Sequence, residues 1–157
     1  MFFTTYPSPL GELTLTSDGQ ALTGLWMDTQ SPSLTEYTRR DDLPIFLQTK
    51  HWLGDYFLGN RPDPATLPLS PAGSPFQRKV WDILLTIPYG ETATYGAIAK
   101  MLSPTMSAQA VGGAVGRNPI SIIIPCHRCL GANGRLTGYA GGLQNKAWLL
   151  RHEEETK

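Results

Sequence analysis

"TATYGAIAKMLSPTMSAQAVGGAVG", residues 92–116, decides the fold of the second half of this chain. Thr94 is a plausible N-cap for a short helix that ends at the helix-breaking "SPT". A second helix, rich in small residues, is expected over residues 106–116. Two short helices joined by a tight turn predict a helix-turn-helix.

The region before this motif has three other patterns. Residues 2–27 alternate apolar and polar side chains, which predicts a small antiparallel meander with turns around Gly11 and Gly19. Residues 43–60 place large apolar side chains at helical spacing and stop at a Gly-Asn pair, so a helix is expected there. Residues 61–75 are rich in proline and lack periodicity, which predicts a semi-extended linker.

Further elements flank the helix-turn-helix candidate. Ser74 precedes a proline and an apolar helical face, so a helix is expected to run to about Ile87. The apolar run "ISIII", residues 120–124, predicts a buried strand, and the Asn-Gly pair at residues 133–134 predicts a hairpin turn. Residues 143–155 predict a closing amphipathic helix.

These patterns together predict an α+β protein with two lobes. A small α/β lobe is expected over residues 1–70, with the linker at about residues 61–75. A mostly helical lobe that contains the helix-turn-helix is expected over residues 74–157. The chain has 157 residues and is 41% hydrophobic, which suffices for one core or for two small cores that share an interface.

No segment of the sequence is typical of a membrane protein. No stretch approaches the roughly 20 continuous apolar residues that a membrane span needs. The opening "MFFTTYPSPL" lacks the basic start and the long apolar segment of a signal peptide. We therefore expect a cytoplasmic protein without a membrane partner.

The charge is balanced overall and uneven along the chain. Residues 1–71 hold 4 Lys+Arg and 8 Asp+Glu, and residues 72–157 hold 9 and 5, so the two parts carry −4 and +4. A basic second half is compatible with a polyanionic partner such as nucleic acid. Ordinary uneven surface charge explains the same count equally well.

The stretch "IIIPCHRC", residues 122–129, contains the candidate nucleophile. A free cysteine is most often a small buried apolar residue. Cys126, however, precedes a titratable base, His127, and a permanent cation, Arg128, and either neighbour would favour the thiolate. Because adjacent residues of an extended segment point to opposite sides, a bridging water is the expected proton path between Cys126 and His127.

The spacing Cys126-x-x-Cys129 leaves two other interpretations open. The pair could be a redox couple, although no thioredoxin-like βαβ pattern surrounds it. It could also be half of a zinc site, but outside the motif the sequence offers only His51 and His152 as histidine ligands, at no recognisable spacing. A reducing compartment would keep both thiols free. We expect no metal and no cofactor.

Three segments resemble one known family. "SPFQRKVWDILLTIPYGETATYGAIA", "AVGGAVGRNPISIIIPCHR" and "GANGRLTGYAGGLQNKAWLLRHE" are similar to the O6-alkylguanine-DNA alkyltransferases, also called methylated-DNA-protein-cysteine methyltransferases. The resemblance spans residues 74–153, whereas the first half is similar only in length and in its strand-then-helix layout. It implies a ribonuclease-H-like N-terminal lobe and a winged-helix-like C-terminal lobe.

The resemblance implies a suicidal alkyl transfer from O6 of a flipped-out guanine in double-stranded DNA. Cys126 would be the acceptor, His127 would deprotonate it through water, and Glu153 would orient His127. Asn118 would be the hinge residue that ties the helix-turn-helix to the acceptor segment. Tyr95 would donate to N3 of the base and so neutralise charge on the leaving guanine. Repair of O4-alkylthymine stays open.

The resemblance also implies a DNA face and a base pocket. Small residues of the helix expected over residues 106–116 would allow close approach to a minor groove, although tight helix packing explains its two glycines, Gly112 and Gly113, equally well. Backbone groups around Cys126 would line the pocket together with the ring of Tyr139. The implied substrate and DNA contacts are Ala108, Gln109, Ala110, Gly112, Gly113, Arg117, Arg128, Cys129, Tyr139 and Ala140.

The chain departs from the family pattern at three positions. Gln109 stands where the family usually has an arginine finger, so we expect weaker DNA affinity or slower capture of the extruded base. Cys129 replaces a commonly aliphatic residue, which permits oxidative pairing with Cys126. Ala140 is often serine, but its expected contact is through the backbone N–H.

Three functions from different classes remain compatible with the sequence. The leading one is a monomeric DNA-repair protein. A non-catalytic module that binds alkylated DNA is the second, although such alkyltransferase-like proteins lack the acceptor cysteine that is present here. A thiol redox protein that uses both cysteines is the third.

Overall fold

The computed structural model describes residues 1–30 and 32–157. A four-stranded sheet lies within the first 39 residues. The sheet order is β3-β2-β1-β4, with β1 to β3 antiparallel and β4 parallel to β1. Gly11 and Gly19 adopt φ values of +96° and +106°, which L side chains avoid, at the two turns. The predicted meander is confirmed. The strands are β1 (Phe2–Ser8), β2 (Gly11–Ser17), β3 (Leu22–Trp26) and β4 (Thr38–Arg39).

Helix α1 (Pro44–Phe57) packs against β2 and β3 and lies within the predicted range. Pro44 occupies the first helical turn, where its missing N–H costs nothing. The helix ends where Gly59 takes a φ of +85°. Its buried face includes Phe46, Leu53 and Tyr56. This face places the Tyr56 side chain at the boundary with the second part of the chain.

The proline-rich stretch is fixed to the sheet rather than free. The Leu22 N–H donates to Pro68 O at 2.8 Å, and the Ser70 N–H donates to Leu22 O at 2.8 Å. The short 3₁₀ turn Pro64–Thr66 leads into Leu67, which is buried. The stretch is therefore extended, as predicted, but it covers the outer edge of β3.

The second part of the chain contains four helices. The hydroxyl oxygens of Ser74, Thr94 and Ser107 each accept a backbone N–H at the start of a helix, the predicted caps among them. The first of these helices ends at Leu84, three residues before the predicted Ile87. Helices α3 and α4 pack against each other as a helix-turn-helix requires. The elements are α2 (Pro75–Leu84), β5 (Ala93–Thr94), α3 (Tyr95–Leu102), α4 (Ala108–Gly116), β6 (Cys129–Leu130) and α5 (Leu143–Thr156).

The predicted strand over residues 120–124 is wrong. The segment is buried, but Ile122 has a φ of +71°, and the Ile123 N–H donates to Ser121 O only two residues back. Its only sheet-like contact is a single bridge to Leu25 of β3. Burial produced the apolar run, and periodicity does not distinguish a buried turn from a buried strand.

The Asn-Gly pair forms a turn, but not a hairpin between strands. Asn133 and Gly134 have φ values of +61° and +74°, and the Gly131 N–H donates to Arg135 O at 2.8 Å. The residues that follow are irregular, and β6 pairs with β5 in a two-stranded parallel sheet instead. The turn residues were therefore sufficient to predict the turn, but not the partners of the flanking chain.

Bonds across the two parts of the chain make one continuous core. The Leu25 N–H donates to Pro119 O at 2.9 Å, and the Tyr56 hydroxyl donates to Glu153 at 2.6 Å. The division into two lobes at about residues 70–74 stays a prediction. Across residues 1–30 and 32–157, none of the helices combines the length and apolar character of a membrane span.

Candidate active site around Cys126

Cys126 opens the 3₁₀ turn Cys126–Arg128, directly after the irregular buried segment. Asn118 fixes that segment, because its Nδ2 donates to Ile124 O at 2.9 Å and its Oδ1 accepts the Ile120 N–H at 3.0 Å. These bonds satisfy buried backbone groups that would otherwise lack partners. Asn118 thus joins the end of α4 to the residue two positions before Cys126.

A cavity of about 610 Å³ lies beside Cys126, which is 5% exposed. Its walls come from α3, from α4, from the acceptor segment and from the loop before α5. The volume is ordinary for a small-molecule pocket. The predicted site residues that line it are Tyr95, Ala108, Gln109, Gly112, Asn118, Cys126, Tyr139 and Ala140. The lining residues that the sequence did not single out are Val115, Gly116, Ser121, Thr137 and Gly138.

His127 and Glu153 form a buried pair behind the thiol. His127 Nε2 lies 2.6 Å from Glu153 Oε2, and neither side chain is more than 1% exposed. Burial lowers the pKa of His127 below its ordinary value, despite the opposing effect of Glu153. The neutral ring therefore carries its proton on Nε2, where the carboxylate accepts it, as the hydrogen-bond network requires. Nδ1 is left as a buried acceptor without a partner among the described residues.

Glu153 receives hydrogen bonds from four residues. Tyr56 and His127 donate to Oε2, the Gly90 N–H donates to Oε1, and Arg128 donates to both oxygens. Burial raises the pKa of Glu153, but the hydrogen bonds from His127 and Arg128, together with the charge of Arg128, outweigh it and hold the pKa well below its ordinary value. The carboxylate is therefore ionised, and it can orient His127 at every physiological pH.

Arg128 does not face the pocket, so its prediction as a DNA contact is wrong. Its side chain is buried, with Nε 2.7 Å and Nη2 3.0 Å from the Glu153 oxygens and Nη1 2.7 Å from Ile87 O. A guanidinium held by a carboxylate and a carbonyl has no free face for a phosphate. Arg128 instead supplies the charge that keeps Glu153 ionised in the interior.

The thiol of Cys126 is protonated in the free protein. Burial raises its pKa, and Asn118, Lys146 and Tyr139 only partly offset that effect. The expectation that His127 and Arg128 favour the thiolate is therefore wrong, because His127 is neutral and Arg128 is paired with Glu153. His127, the next residue along the chain, is a neutral base whose Nδ1 has no hydrogen-bond partner among the described residues.

Two tyrosines in the pocket stay protonated. Burial raises the pKa of Tyr95, and the nearby cysteines raise it further. Burial likewise raises the pKa of Tyr139, whose buried hydroxyl has Cys126 and Ser121 as polar neighbours but makes no hydrogen bond of good geometry. Both phenols can therefore donate to a bound base.

Other predicted contacts lie off the pocket wall. Cys129 is fully buried outside it, and burial raises the pKa of its thiol to about 12. Ala110, Gly113 and Arg117 are exposed at α4 and its C-terminal end, where they do not line the pocket. Both cysteines are free, and no cluster of three or more metal-ligating side chains occurs within the described ranges.

Internal packing does not require the glycines of α4. A Cβ added at Gly113 or Gly116 would meet no heavy atom within 4 Å, and one at Gly112 would meet only Tyr95 at 3.9 Å. The packing explanation for these glycines therefore fails. Glycine costs about 1 kcal/mol relative to alanine within a helix, and contacts inside the protein do not account for that cost at these positions.

The comparisons with known proteins identify the family. A model described as "6-O-methylguanine DNA methyltransferase, DNA binding domain" matches residues 75–155, and one described as its "ribonuclease-like domain" matches residues 1–71. The chain belongs to this family. The resemblance inferred from three segments is thereby confirmed, and it extends to the first half of the chain.

Individual family members match over nearly the whole chain. The methylated-DNA-protein-cysteine methyltransferase of Haemophilus influenzae is 41% identical over 155 residues, which are 98% of this chain and 87% of the relative. The Mycobacterium tuberculosis protein of the same name is 46% identical over 154 residues, 97% and 92% of the two chains. The crystal structure of Mycobacterium tuberculosis OGT in complex with DNA has a TM-score of 0.89 at 44% identity and covers 99% of this chain and 94% of that one.

Besides the five lining residues given above, sequence reasoning missed two residues that support this site from outside the pocket wall. Tyr56 donates to Glu153 from the distant α1, and nothing local in its sequence indicates that contact. Lys146 is fully buried beside the 3₁₀ turn Cys126–Arg128, called the acceptor turn below. Its signal was present, because helical spacing puts Lys146 on the same face of α5 as the buried Leu149 and Glu153.

We expect the stability of the protein to fall on acidification in two steps. The folded-state pKa of His127 lies below its ordinary value of 6.5, and that of Glu153 lies below 4.5. Below the ordinary pKa of each group, the unfolded chain binds a proton that the folded chain does not yet bind. The free energy of unfolding therefore decreases as the pH is lowered. Urea unfolding between about pH 2 and pH 8 measures both steps, and His127→Asn should remove the step near pH 6.5. The exposed His51→Asn is the control, and an unchanged step in His127→Asn would contradict the assignment.

Proposed function

We propose that this protein repairs double-stranded DNA by moving an alkyl group from O6 of guanine to Sγ of Cys126, once per molecule. One observation carries the proposal: Cys126 lines a pocket with Tyr95 and residues of α4, and it directly precedes His127 of the buried His127–Glu153 pair. A guanine must leave the duplex to reach a thiol at this depth.

The proposed reaction is an in-line displacement. The Sγ–C bond forms as the C–O6 bond breaks, and the Cys126 proton passes through a bridging water to His127 Nδ1. The leaving guanine takes the bonding electron pair, and a hydrogen bond from Tyr95 to N3 stabilises its charge. The guanine anion then takes a proton from solvent. The His127 imidazolium releases its proton to solvent, which restores the neutral ring. The thioether on Cys126 is not hydrolysed, so the thiol is not regenerated and each protein molecule reacts once.

Helix α4 supports the DNA-binding part of the proposal. Its small residues leave the backbone accessible, as a helix pressed into a minor groove requires. Gln109, in the first turn of α4, lines the pocket. Its side chain can fill the gap that the flipped guanine leaves in the base stack. The +4 charge of residues 72–157 favours approach to a polyanion.

The other two functions fit the site less well. A module that only binds alkylated DNA has no use for an acceptor thiol with a buried base and carboxylate behind it. A redox couple needs two accessible thiols of low pKa, whereas burial raises the pKa of both Cys126 and Cys129. We propose a cytoplasmic monomer without a cofactor, for which analytical ultracentrifugation with and without a DNA duplex is the test of oligomeric state.

Incubation with a duplex that contains O6-methylguanine should add a single methyl group, about 14 Da, to the Cys126 peptide. Intact mass and peptide mapping measure this, and Cys126→Ser is the control that should bind the duplex without gaining mass. Tight binding without a mass change would favour the binding module. Loss of two protons on mild oxidation, without any transfer, would favour the redox protein.

Replacing Gln109 with arginine should improve capture of the flipped base. The added positive charge should tighten binding to a methylated duplex by about fivefold, or about 1 kcal/mol, and should raise the single-turnover rate at limiting protein. Gln109→Ala is the matched control and should lose activity. Equal rates for Gln109→Arg and the parent protein would refute the expectation.

Filling the open space above α4 should separate stability from DNA binding. Gly113→Ala and Gly116→Ala should each stabilise the helix by up to about 1 kcal/mol, because neither Cβ meets the protein. Both should weaken binding to duplex DNA by about tenfold, about 1.4 kcal/mol, through contact with the groove. Gly54→Ala in α1 is the control, since it has similar room and lies far from α4. Unchanged DNA affinity in all three variants would show that α4 does not approach the duplex.

A further inference from the structure

Lys146 of α5 is an ammonium group buried without a carboxylate. The side chain is fully buried, and its Nζ donates to Cys129 O at 2.6 Å and to Thr137 O at 2.9 Å. The ion pairs among the described residues do not include it. Burying a cation with only neutral acceptors costs several kcal/mol, so the position is expensive for stability alone.

The two carbonyls that Lys146 binds belong to two separate segments of the chain that both lead to residues of the pocket. Cys129 O follows the turn that carries Cys126, and Thr137 O begins the loop that carries Tyr139 into the pocket. Nζ also lies 5.9 Å from the centre of the Tyr95 ring. One ammonium group therefore contacts the acceptor turn, the loop of residues 137–140 (the pocket loop) and the ring of Tyr95, and it fixes their relative positions.

The charge of Lys146 also acts on the Cys126 thiol. Burial lowers the pKa of Lys146, while Cys129 and Cys126 raise it. Its charge in turn lowers the pKa of Cys126 against the larger effect of burial. The attraction grows only as the thiolate forms, which is the condition for lowering a barrier rather than stabilising the resting protein.

Other groups near Cys126 do not supply this charge. His127 is neutral, and Arg128 is paired with Glu153. Tyr95, Tyr139 and Cys129 are neutral, since burial raises the pKa of each. Asn118 contributes only a dipole. Of the described residues around the acceptor, Lys146 is thus the cation that has no anion of its own.

We propose that Lys146 is a positioning residue whose ammonium group ties the acceptor turn to the pocket loop and becomes the counter-charge of the Cys126 thiolate as it forms. This inference rests on the proposed alkyl transfer. It assigns to Lys146 the role that the sequence had given to Arg128. In the free protein the Lys146 ammonium group has no anionic partner. In the transition state the developing Cys126 thiolate becomes that partner.

The test titrates Cys126 in the absence of DNA. Alkylation of Cys126 by iodoacetamide is followed by peptide mass between pH 6 and 11 in the parent protein, Lys146→Met, Lys146→Gln and Lys146→Arg. Methionine keeps an unbranched, nearly as long side chain without charge, glutamine keeps a neutral group with two N–H donors, and arginine keeps the charge. Lys79→Met, an exposed lysine of α2, is the control.

We expect the two neutral variants to raise the midpoint of alkylation by about one pH unit, which is about tenfold less thiolate at neutral pH. Lys146→Arg and Lys79→Met should titrate like the parent. Single-turnover transfer from a methylated duplex at saturating DNA should slow about tenfold in the neutral variants, with the difference shrinking at high pH. A merely structural lysine would lower stability without moving the midpoint.

A parental midpoint in folded Lys146→Met and Lys146→Gln would overturn the inference. If neither neutral variant folds, Lys146→Arg decides, because a midpoint moved by a unit despite the retained charge would exclude the electrostatic role. Failure of the parent protein to accept a methyl group would end the proposed function alone. The DNA-free titration would still report on Lys146.

Discussion

The structure depends on one buried carboxylate, that of Glu153. It accepts hydrogen bonds from α1 through Tyr56, from the α2–β5 connection through Gly90, and from the acceptor turn through His127 and Arg128. Burying a carboxylate is costly unless every lone pair is occupied and a cation lies close. Because these donors come from both halves of the chain, satisfying one charge fixes the position of the halves and of the acceptor turn together.

That arrangement separates the reactivity of Cys126 from its resting state. Burial keeps the thiol protonated, and the paired Arg128 does not change this. Glu153 sets the tautomer of His127 so that Nδ1 is free to take the proton. A single-use nucleophile gains from such latency, because a permanently exposed thiolate would react with other electrophiles before it met DNA. Along α4, a Cβ at Gly113 or Gly116 would meet no heavy atom within 4 Å, so the backbone of this helix is accessible beside the pocket.

Parts of this site could be predicted from the sequence and parts could not. Ser74 and Thr94 cap helices through contacts within three residues, so local pattern sufficed for them. The irregular segment after Asn118 was predicted as a strand, because an apolar run records burial and not backbone shape. Arg128 was predicted to face DNA, and only its distance to Glu153, 25 positions away, shows that its charge is used inside.

By itself the sequence determined the order of the main helices and of the first three strands, the family and the candidate acceptor residue with its adjacent base. These depend on short-range periodicity, capping and motif spacing, which are written along the chain. Only the tertiary structure decided which charges meet: Arg128 with Glu153, Lys146 with the acceptor turn, and Tyr56 with the second half. The protonation of the thiol was decided there too, because a pKa depends on the groups and the burial that surround an atom in space, whatever their separation in sequence.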